Sequence, residues 1–399
     1  MSSSLAERDQ WKTVVQQQVL SRADDLISLS HRLQQHPETA FEEHRAAAWL
    51  TEVLDDAGFT VERGVADLPT AFMATYGSGS LTVGVCAEYD ALPAIGHACG
   101  HNIIAGSALG TGLALRAVAD ELDLTVKVLG TPAEEGGGGK VVMIEKGLFD
   151  DLHAALMIHP TPRELVAPDL LAMSARSFEF QGREAHAASF PEAGINAMDA
   201  LTVAQVSIGL LRQHILDDER IHGVPEHGYE AANVIPSHAR ANYVARAASR
   251  ERLEVLVDRL TKCFEAGALA TGATLTIDTS KPAYLEMKHD PLLMELYRVN
   301  AENLGRRFRP LQRGDSAGYA STDFGNVSHH VPAIIPTVDI GSGAIGNHEP
   351  EFADCAVTPT ADKALLDGAV AMAWTVIDTA ADAVVRTALS SARDARIGV

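Results

Sequence analysis

Residues 81–119 read LTVGVCAEYDALPAIGHACGHNIIAGSALGTGLALRAVA. The run Leu81 to Ala87 is short and apolar, as a strand buried on both faces is. Ile103 to Ala119 is a long apolar stretch that reads as a helix. Between the two lies GHACGHN, which places His97, Cys99 and His101, all metal-type ligands, just after the strand. Strand, loop and helix in that order is the repeating unit of an α/β layer.

The pattern extends in both directions. Leu5 to about Leu33 reads as helix, and Phe41 to Ala57 as a second one that ends at Gly58. Ala71 to Tyr76, Val126 to Leu129 and Ala154 to Ile158 read as further buried strands, so a mostly parallel central sheet is expected. Near residue 170 the pattern changes. Ser174 to Gln181 reads as a strand, Ala197 to His214 as a helix, and Tyr229 to Ile235 with Ala239 to Arg246 as a strand pair. Glu251 to Ala266 comes next as helix and Ala273 to Thr279 as strand. That order, βαββαβ, is ferredoxin-like. A helical start near Pro291 and a strand near Ile335 to Ile340 resume the first pattern. The expected organisation is a catalytic domain from residues 1–170 and 285–399 that carries an inserted domain at 171–284.

Composition narrows the partners. The 399 residues hold 32 Lys+Arg against 53 Asp+Glu, a net charge of −21 that repels nucleic acid and anionic membrane. Hydrophobic residues at 46% and charged ones at 21% are a globular balance. Cys86, Cys99, Cys263 and Cys355 are too few and too scattered for a disulfide framework. MSSSLAERDQWK has charges where a signal peptide needs an apolar core, so a cytoplasmic location is expected. Ile103 to Leu115 has 13 residues, too few to span a bilayer.

Four segments put ligand-type residues after an expected strand. They are GHACGHN, TPAEEGGGG with Glu134 and Glu135, MIHP with His159, and GNHEPEF with His348. Ligands bind outside the carboxyl ends of the strands in open α/β sheets, so the four can converge. Thiolate, imidazole and carboxylate together suit zinc, with manganese or cobalt as alternatives. On an extended segment adjacent side chains point opposite ways, so one glutamate can bind metal while the other faces the substrate water. A divalent ion lowers the pKa of its water toward roughly 7, and a carboxylate beside it can carry the proton. That is hydrolytic chemistry. Gly341, Gly343 and Gly346 spell a dinucleotide-type G-x-G-x-x-G, but Asn347-His348-Glu349-Pro350 stands where a helix should begin.

AEYDALPAIGHACGHN, TPAEEGGGG, MIHP, GREAHAASFPEAGINAMDAL, NVIP and HEPEF, in this order, resemble the zinc aminoacylase/carboxypeptidase metallopeptidase superfamily. More narrowly they resemble its amidohydrolase branch, which takes in N-acyl-amino-acid aminoacylases and p-aminobenzoyl-glutamate hydrolases. HRLQQHPETAFEEH fits the same branch. The resemblance implies two metals per chain bridged by Cys99, with His101, Glu135, His159 and His348 as the other ligands. It implies Glu134 as general acid/base, His186 as the oxyanion-stabilising histidine, and Asn233 and Arg246 as holders of the substrate carboxylate. The insert becomes a lid and dimerisation domain, the protein a homodimer, and the substrate a small N-acyl amino acid, with glutamine or glutamate favoured.

A dipeptidase, a p-aminobenzoyl-glutamate hydrolase and an inactive binding homologue are the alternatives. Indole-acetyl hydrolases usually show Asp where Asn102 stands and an R-A-D-M-D-type segment where Cys86 to Asp90 stand, so auxin-conjugate hydrolysis is disfavoured. Cys99 alone would read as a small buried apolar residue; its two flanking histidines favour ligation. His97 fits a supporting role better than direct ligation. Asp90 is expected behind the ligands, orienting a histidine, with a turn or capping role as the plainer alternative.

Overall fold

Twelve strands appear in the computed structural model, which describes residues 4–227, 231–308 and 320–397. The first six are β1 (Thr60–Arg63), β2 (Phe72–Tyr76), β3 (Leu81–Ala87), β4 (Leu124–Gly130), β5 (Ala154–Leu156) and β6 (His159–Thr161). Next come β7 (Ala172–Gln181), β8 (Arg220–His227), β9 (His238–Ala247) and β10 (Thr274–Asp278), then β11 (Ala333–Ile334) and β12 (Thr337–Asp339). The described residues divide into two units, those within Asp169–Glu286 together with Ala320 and Ser321 forming one and the other described residues the second.

In the larger unit the sheet order is β1-β2-β4-β3-β5-β11. The pairings β4·β3, β3·β5 and β5·β11 are parallel, but β1·β2 and β2·β4 are antiparallel. The sheet is therefore mixed: three of its five pairings are parallel, as expected, and the edge formed by β1 and β2 is antiparallel. β1, sequence TVER, is largely exposed and has no apolar run by which to be recognised. β3 is buried at every residue, as its unbroken apolar run requires. Its register matches Leu81 to Leu124 and Ala87 to Gly130, so β3 and β4 end level with each other. The loops that leave these two strands are thereby brought to one edge.

Helix His101–Leu115, buried at every position, packs on β3 and β4 and against helix Pro359–Ala381. Gly112 lets it approach β4: a Cβ there would stand 2.4 Å from Val128 Cγ2. Pro359–Ala381 is long and apolar enough to cross a membrane by composition, yet most of it is buried within this unit. The expected single N-terminal helix is two, Leu5–Ser21 and Ala23–Gln35, broken at Arg22 (φ −111°, ψ 12°). No Gly or Pro marks that break, so periodicity passes straight through it.

The smaller unit runs β7, helix Ala197–Leu211, β8, β9, helix Arg250–Thr271, β10, and its sheet order is β10-β7-β9-β8, antiparallel throughout. β9 alternates buried and half-buried residues over its whole length, one face toward the helices. Phe178 stacks on Phe264 at the centre, ring centroids 3.6 Å apart. The first strand of the expected pair is displaced: it is Arg220–His227, while Ala231 to Ile235 lie in a turn and loop and Tyr229 falls outside the described residues. Pro225 masks the strand signal in the sequence; as β8 is an edge strand, proline is tolerated there.

Candidate metal centre

Gly100 adopts a left-handed conformation (φ 79°) at the start of helix His101–Leu115, and a Cβ there would stand 2.8 Å from Pro160 Cγ. The turn delivers His101, the first helical residue, with no solvent exposure. Its Nδ1 donates to the Asp90 carbonyl oxygen at 2.8 Å and to Asp90 Oδ1 at 3.0 Å. That fixes the proton on Nδ1 and leaves Nε2 as a buried nitrogen with no hydrogen-bond partner. Asp90 Oδ2 accepts the Glu135 N–H at 3.0 Å, so one buried carboxylate positions both residues.

Around Nε2 the other side chains converge. Cys99 Sγ lies 3.6 Å from His159 Nε2, and His348 Nε2 lies 3.3 Å from Glu135 Oε1. His101 Nε2 is 3.9 Å from Glu135 Oε1 and 4.0 Å from Glu134 Oε2. Cys99 with His101 and His159, and Cys99 with Glu135 and His348, form two groups whose ligand atoms lie within 4.8 Å of one another. The thiol belongs to both. His159 donates Nδ1–H to the Pro160 carbonyl oxygen at 2.9 Å, which again points Nε2 at the cluster. His348 is held in a left-handed conformation (φ 71°), its N–H bonded to the Ala98 carbonyl oxygen at 2.9 Å. For a non-glycine residue this is strain of the kind that gathers at functional sites. Asn347 beside it donates to the Pro160 carbonyl oxygen at 3.0 Å.

The two glutamates do not sit on extended chain as expected. Glu134 to Gly137 form a turn, entered through Ala133 in a left-handed conformation (φ 61°). The Ala133 N–H donates to the fully buried Glu43 at 2.9 Å, and its carbonyl oxygen accepts from Gly137 and Gly138. Turn geometry, not strand alternation, therefore parts the two side chains. Glu135 faces His348. Glu134 shares a second cluster with Glu88 and Asp323.

Glu88, Lys140 and Asp323 were missed by sequence reasoning. Lys140 Nζ stands 2.6 Å from Glu88 Oε1 and 2.6 Å from Asp323 Oδ1, all three side chains without exposure. The available signal was polarity at apolar places: Glu88 directly follows LTVGVCA, and Lys140 opens the helix GKVVMIE. His97 is buried, and burial, with His101 nearby, pushes its pKa down to about 3. Asn102 donates to Ser30 Oγ at 2.9 Å and to the Ala356 carbonyl oxygen at 3.1 Å; an ionised aspartate could do neither.

The electrostatics ask for cations. Glu88, Asp90, Glu134, Glu135 and Asp323 gather here with the Cys99 thiol, and Lys140, paired with Glu88 and Asp323, is the ammonium set among the buried acids. Burial, then Glu88 and Glu135, raise Glu134 well above the usual carboxylate range. Burial, then Glu135, push the Cys99 thiol well above its ordinary value. Burial works against a proton on His101, but Asp90 more than reverses this and lifts it well above the ordinary histidine value. So large an excess of buried acid is costly without positive charge, and thiolate, imidazole and carboxylate are the donors of a zinc-type ion. The unpartnered Nε2 of His101 and this donor set fit a divalent metal.

His186, Asn233 and Arg246 belong to the smaller unit. His186 is exposed; its Nδ1 accepts the Ala188 and Ser189 N–H groups at 3.2 and 3.1 Å, which leaves the proton on Nε2. Asn233, in a turn, accepts the Ala187 N–H at 2.9 Å through its carbonyl oxygen. Arg246 lies near the end of β9 and donates to Ser321 Oγ at 2.7 Å. His186 and Asn233 are neighbours beyond the other end of that strand. From His238 to Arg246 is eight residues of extended chain, about 26 Å at 3.3 Å each. The unit does not bring Arg246 to the other two.

Residues 85–372 match Peptidase family M20/M25/M40. The chain is 37% identical over 392 residues to the Xaa-Arg dipeptidase of Mus musculus, covering 94% of this chain and 90% of that protein. It is 34% identical over 268 residues to a p-aminobenzoyl-glutamate hydrolase polypeptide of Escherichia coli (strain K12), 62% of this chain and 56% of that one. Among solved structures it shares the fold of the Bacillus subtilis YXEP protein, described as a dinuclear metal-binding peptidase from the M20 family. The TM-score is 0.68 at 19% identity, over 90% of this chain and 98% of that one. Seven-tenths of the sequence lies inside the matched family region, and the gathered thiol, imidazoles and carboxylates lie within it. The chain belongs to peptidase family M20/M25/M40 and is a metal-dependent amide hydrolase.

Proposed function

We propose that the substrate is a dipeptide or similar small amide whose leaving amino acid carries a free α-carboxylate. The likeness to a dipeptidase over nine-tenths of both chains carries this reading. Hydrolysis of p-aminobenzoyl-glutamate or of another N-acyl amino acid is the second reading, favoured by the Escherichia coli relative. Two zinc ions per chain are proposed, and Cys99, which belongs to both ligand groups, would hold them with His101, Glu135, His159 and His348. Bound there, they supply Lewis acidity toward the scissile carbonyl and an activated water.

The remaining roles belong to the chain. Asp90 keeps His101 in the tautomer that presents Nε2. Glu134, the adjacent carboxylate not engaged by His348, takes the proton of the attacking water and delivers it to the leaving nitrogen. His186, with its proton on Nε2, donates to the developing oxyanion. Asn233 and Arg246 hold the substrate carboxylate, for which the guanidinium fork is suited. Arg246 and the pair His186 and Asn233 lie toward opposite ends of a strand that spans about 26 Å from His238 to Arg246, too far to grip the same small molecule from one subunit. That separation supports a homodimer in which one copy supplies Arg246 and the other His186 and Asn233.

A panel of Xaa-Arg, Xaa-Lys and Xaa-Gln dipeptides, p-aminobenzoyl-glutamate and N-acetyl amino acids, ranked by kcat/KM, tests the reading. Dipeptides are expected to lead, and carboxylate-amidated forms to lose roughly 10- to 150-fold, the worth of about 1.5–3 kcal/mol for a charge-assisted bond. Faster turnover of N-acetyl amino acids overturns the first reading in favour of the second. Equal turnover of acid and amide forms removes the carboxylate role of Arg246 and Asn233.

A further inference from the structure

Glu88 stands at the carboxyl end of β3, fully buried, with its two oxygens in different company. Oε1 lies 2.6 Å from Lys140 Nζ. Oε2 turns toward the metal centre and lies 3.5 Å from His101 Nε2, and neither of these two atoms has a hydrogen-bond partner. With Nδ1–H given to Asp90, Nε2 is the nitrogen that faces the carboxylate oxygen, and in the neutral imidazole that a metal requires it does so through its lone pair. Two acceptors confronting each other away from water repel unless a cation lies between them. Their separation suits one: two N/O ligands at about 2.1 Å from a tetrahedral ion stand roughly 3.4 Å apart.

Charge leads to the same place. Lys140 is already matched by Asp323, which accepts its Nζ at 2.6 Å and its backbone N–H at 2.9 Å. Glu88 therefore leaves this buried trio one negative charge in excess, costly in a dry interior unless a further cation takes it up. We propose that Glu88 is itself a metal ligand, binding through Oε2 the same ion as His101, with Lys140 restraining Oε1 so that one oxygen only is offered. The assignment rests on the metal-centre reading above and adds a protein donor to its five.

The test is metal binding by the full-length chain. Metal-stripped protein is titrated with Zn²⁺ against a competing chelator, and bound ions are counted by native mass spectrometry. Wild type is expected to fill in two steps. Glu88→Gln, which leaves Lys140 and Asp323 as a neutral pair, should weaken one step by more than about 100-fold and leave the other within about threefold. Losing a partner that merely supports a ligand costs about 10–100-fold, so a loss of 100-fold or less overturns the assignment. With Co²⁺ at saturation the visible spectrum of Glu88→Gln should differ from wild type; an identical spectrum also overturns it. Should Glu88→Gln fail to fold, Glu88→Asp retains the charge that Lys140 needs but draws the carboxylate back by one methylene, and the same step should weaken. Cys99→Ala in the same titration separates the two levels. If it leaves both steps intact, the metal centre itself is misread; if it weakens them while Glu88→Gln does not, only Glu88 is misassigned.

Discussion

Asp90→Asn replaces one carboxylate oxygen of the site by NH₂ and changes almost no volume. In the native protein Oδ1 accepts His101 Nδ1–H at 3.0 Å and Oδ2 accepts the Glu135 N–H at 3.0 Å. An amide has one acceptor oxygen, so in either orientation its NH₂ is turned against a buried donor. Setting the NH₂ toward the ring is the milder choice, because Nδ1 keeps the Asp90 carbonyl oxygen at 2.8 Å. Even so a charge-assisted bond worth about 1.5–3 kcal/mol is lost, and the imidazole becomes a poorer donor to metal. Zinc affinity should fall about 10- to 100-fold, or about 1.4–2.7 kcal/mol. The metal-free protein should lose stability as well. Burial opposes the Asp90 charge, but His101 and the Glu135 N–H outweigh it and hold this carboxyl below its usual range, so removing the charge breaks a buried pair and the metal-free Tm should fall by several degrees. Chelator competition and paired melting curves measure both. A variant with zinc affinity within threefold of wild type refutes the orienting role, and a metal-free form that melts as wild type does refutes the charge pairing with His101.

Glu134→Gln should lower kcat by at least about 10²-fold with metal content kept, whereas Glu135→Gln should lose metal; the reverse pattern in elemental analysis would exchange their roles. Gly100→Ala must place a methyl at φ 79° and 2.8 Å from Pro160, so a loss of about 2–4 kcal/mol in chemical denaturation is expected, together with weaker metal binding. Glu134→Gln and His186→Ala chains, each nearly inactive alone, should regain about a quarter of wild-type activity when co-assembled, since about half the dimers are mixed and hold one intact site of two; a mixture that stays dead with subunit exchange verified excludes a shared site. Burial, with Arg393 nearby, holds the His153 pKa below its ordinary value, and His153 accepts the Thr82 N–H at 3.1 Å. The unfolded chain then binds the proton more readily, so this residue stabilises the fold above about pH 6.5 and less as the pH falls. His153→Gln should flatten the decline in Tm from pH 7 to pH 5, and an unchanged slope removes the attribution.

The part of the site legible in the sequence is the part that keeps to chain order. β3 and the helix from His101 bracket the GHACGHN loop, and a parallel sheet carries the loops after neighbouring strands to one edge. Cys99, His101, Glu135, His159 and His348 are gathered in that way, each recognisable by its type and by the strand before it. The antiparallel edge of the sheet was not legible, because β1 is nearly all exposed and strand direction leaves no mark on an apolar run. Nor was the displaced β8, where Pro225 interrupts the strand signal. The deepest omission is the buried trio.

Glu88, Lys140 and Asp323 carry no motif spacing, since Lys140 and Asp323 are 183 residues apart and meet only because two helices start side by side at the carboxyl edge of the sheet. Any of the three, read singly, is an ordinary surface charge. Their meaning comes from burial, which turns an ion pair into a three-body charge balance, and from the direction of one oxygen, Glu88 Oε2. The ligand types were written in the sequence; the charge that those ligands must share with their surroundings is a property of the folded interior, and there the number of cations the site requires is decided.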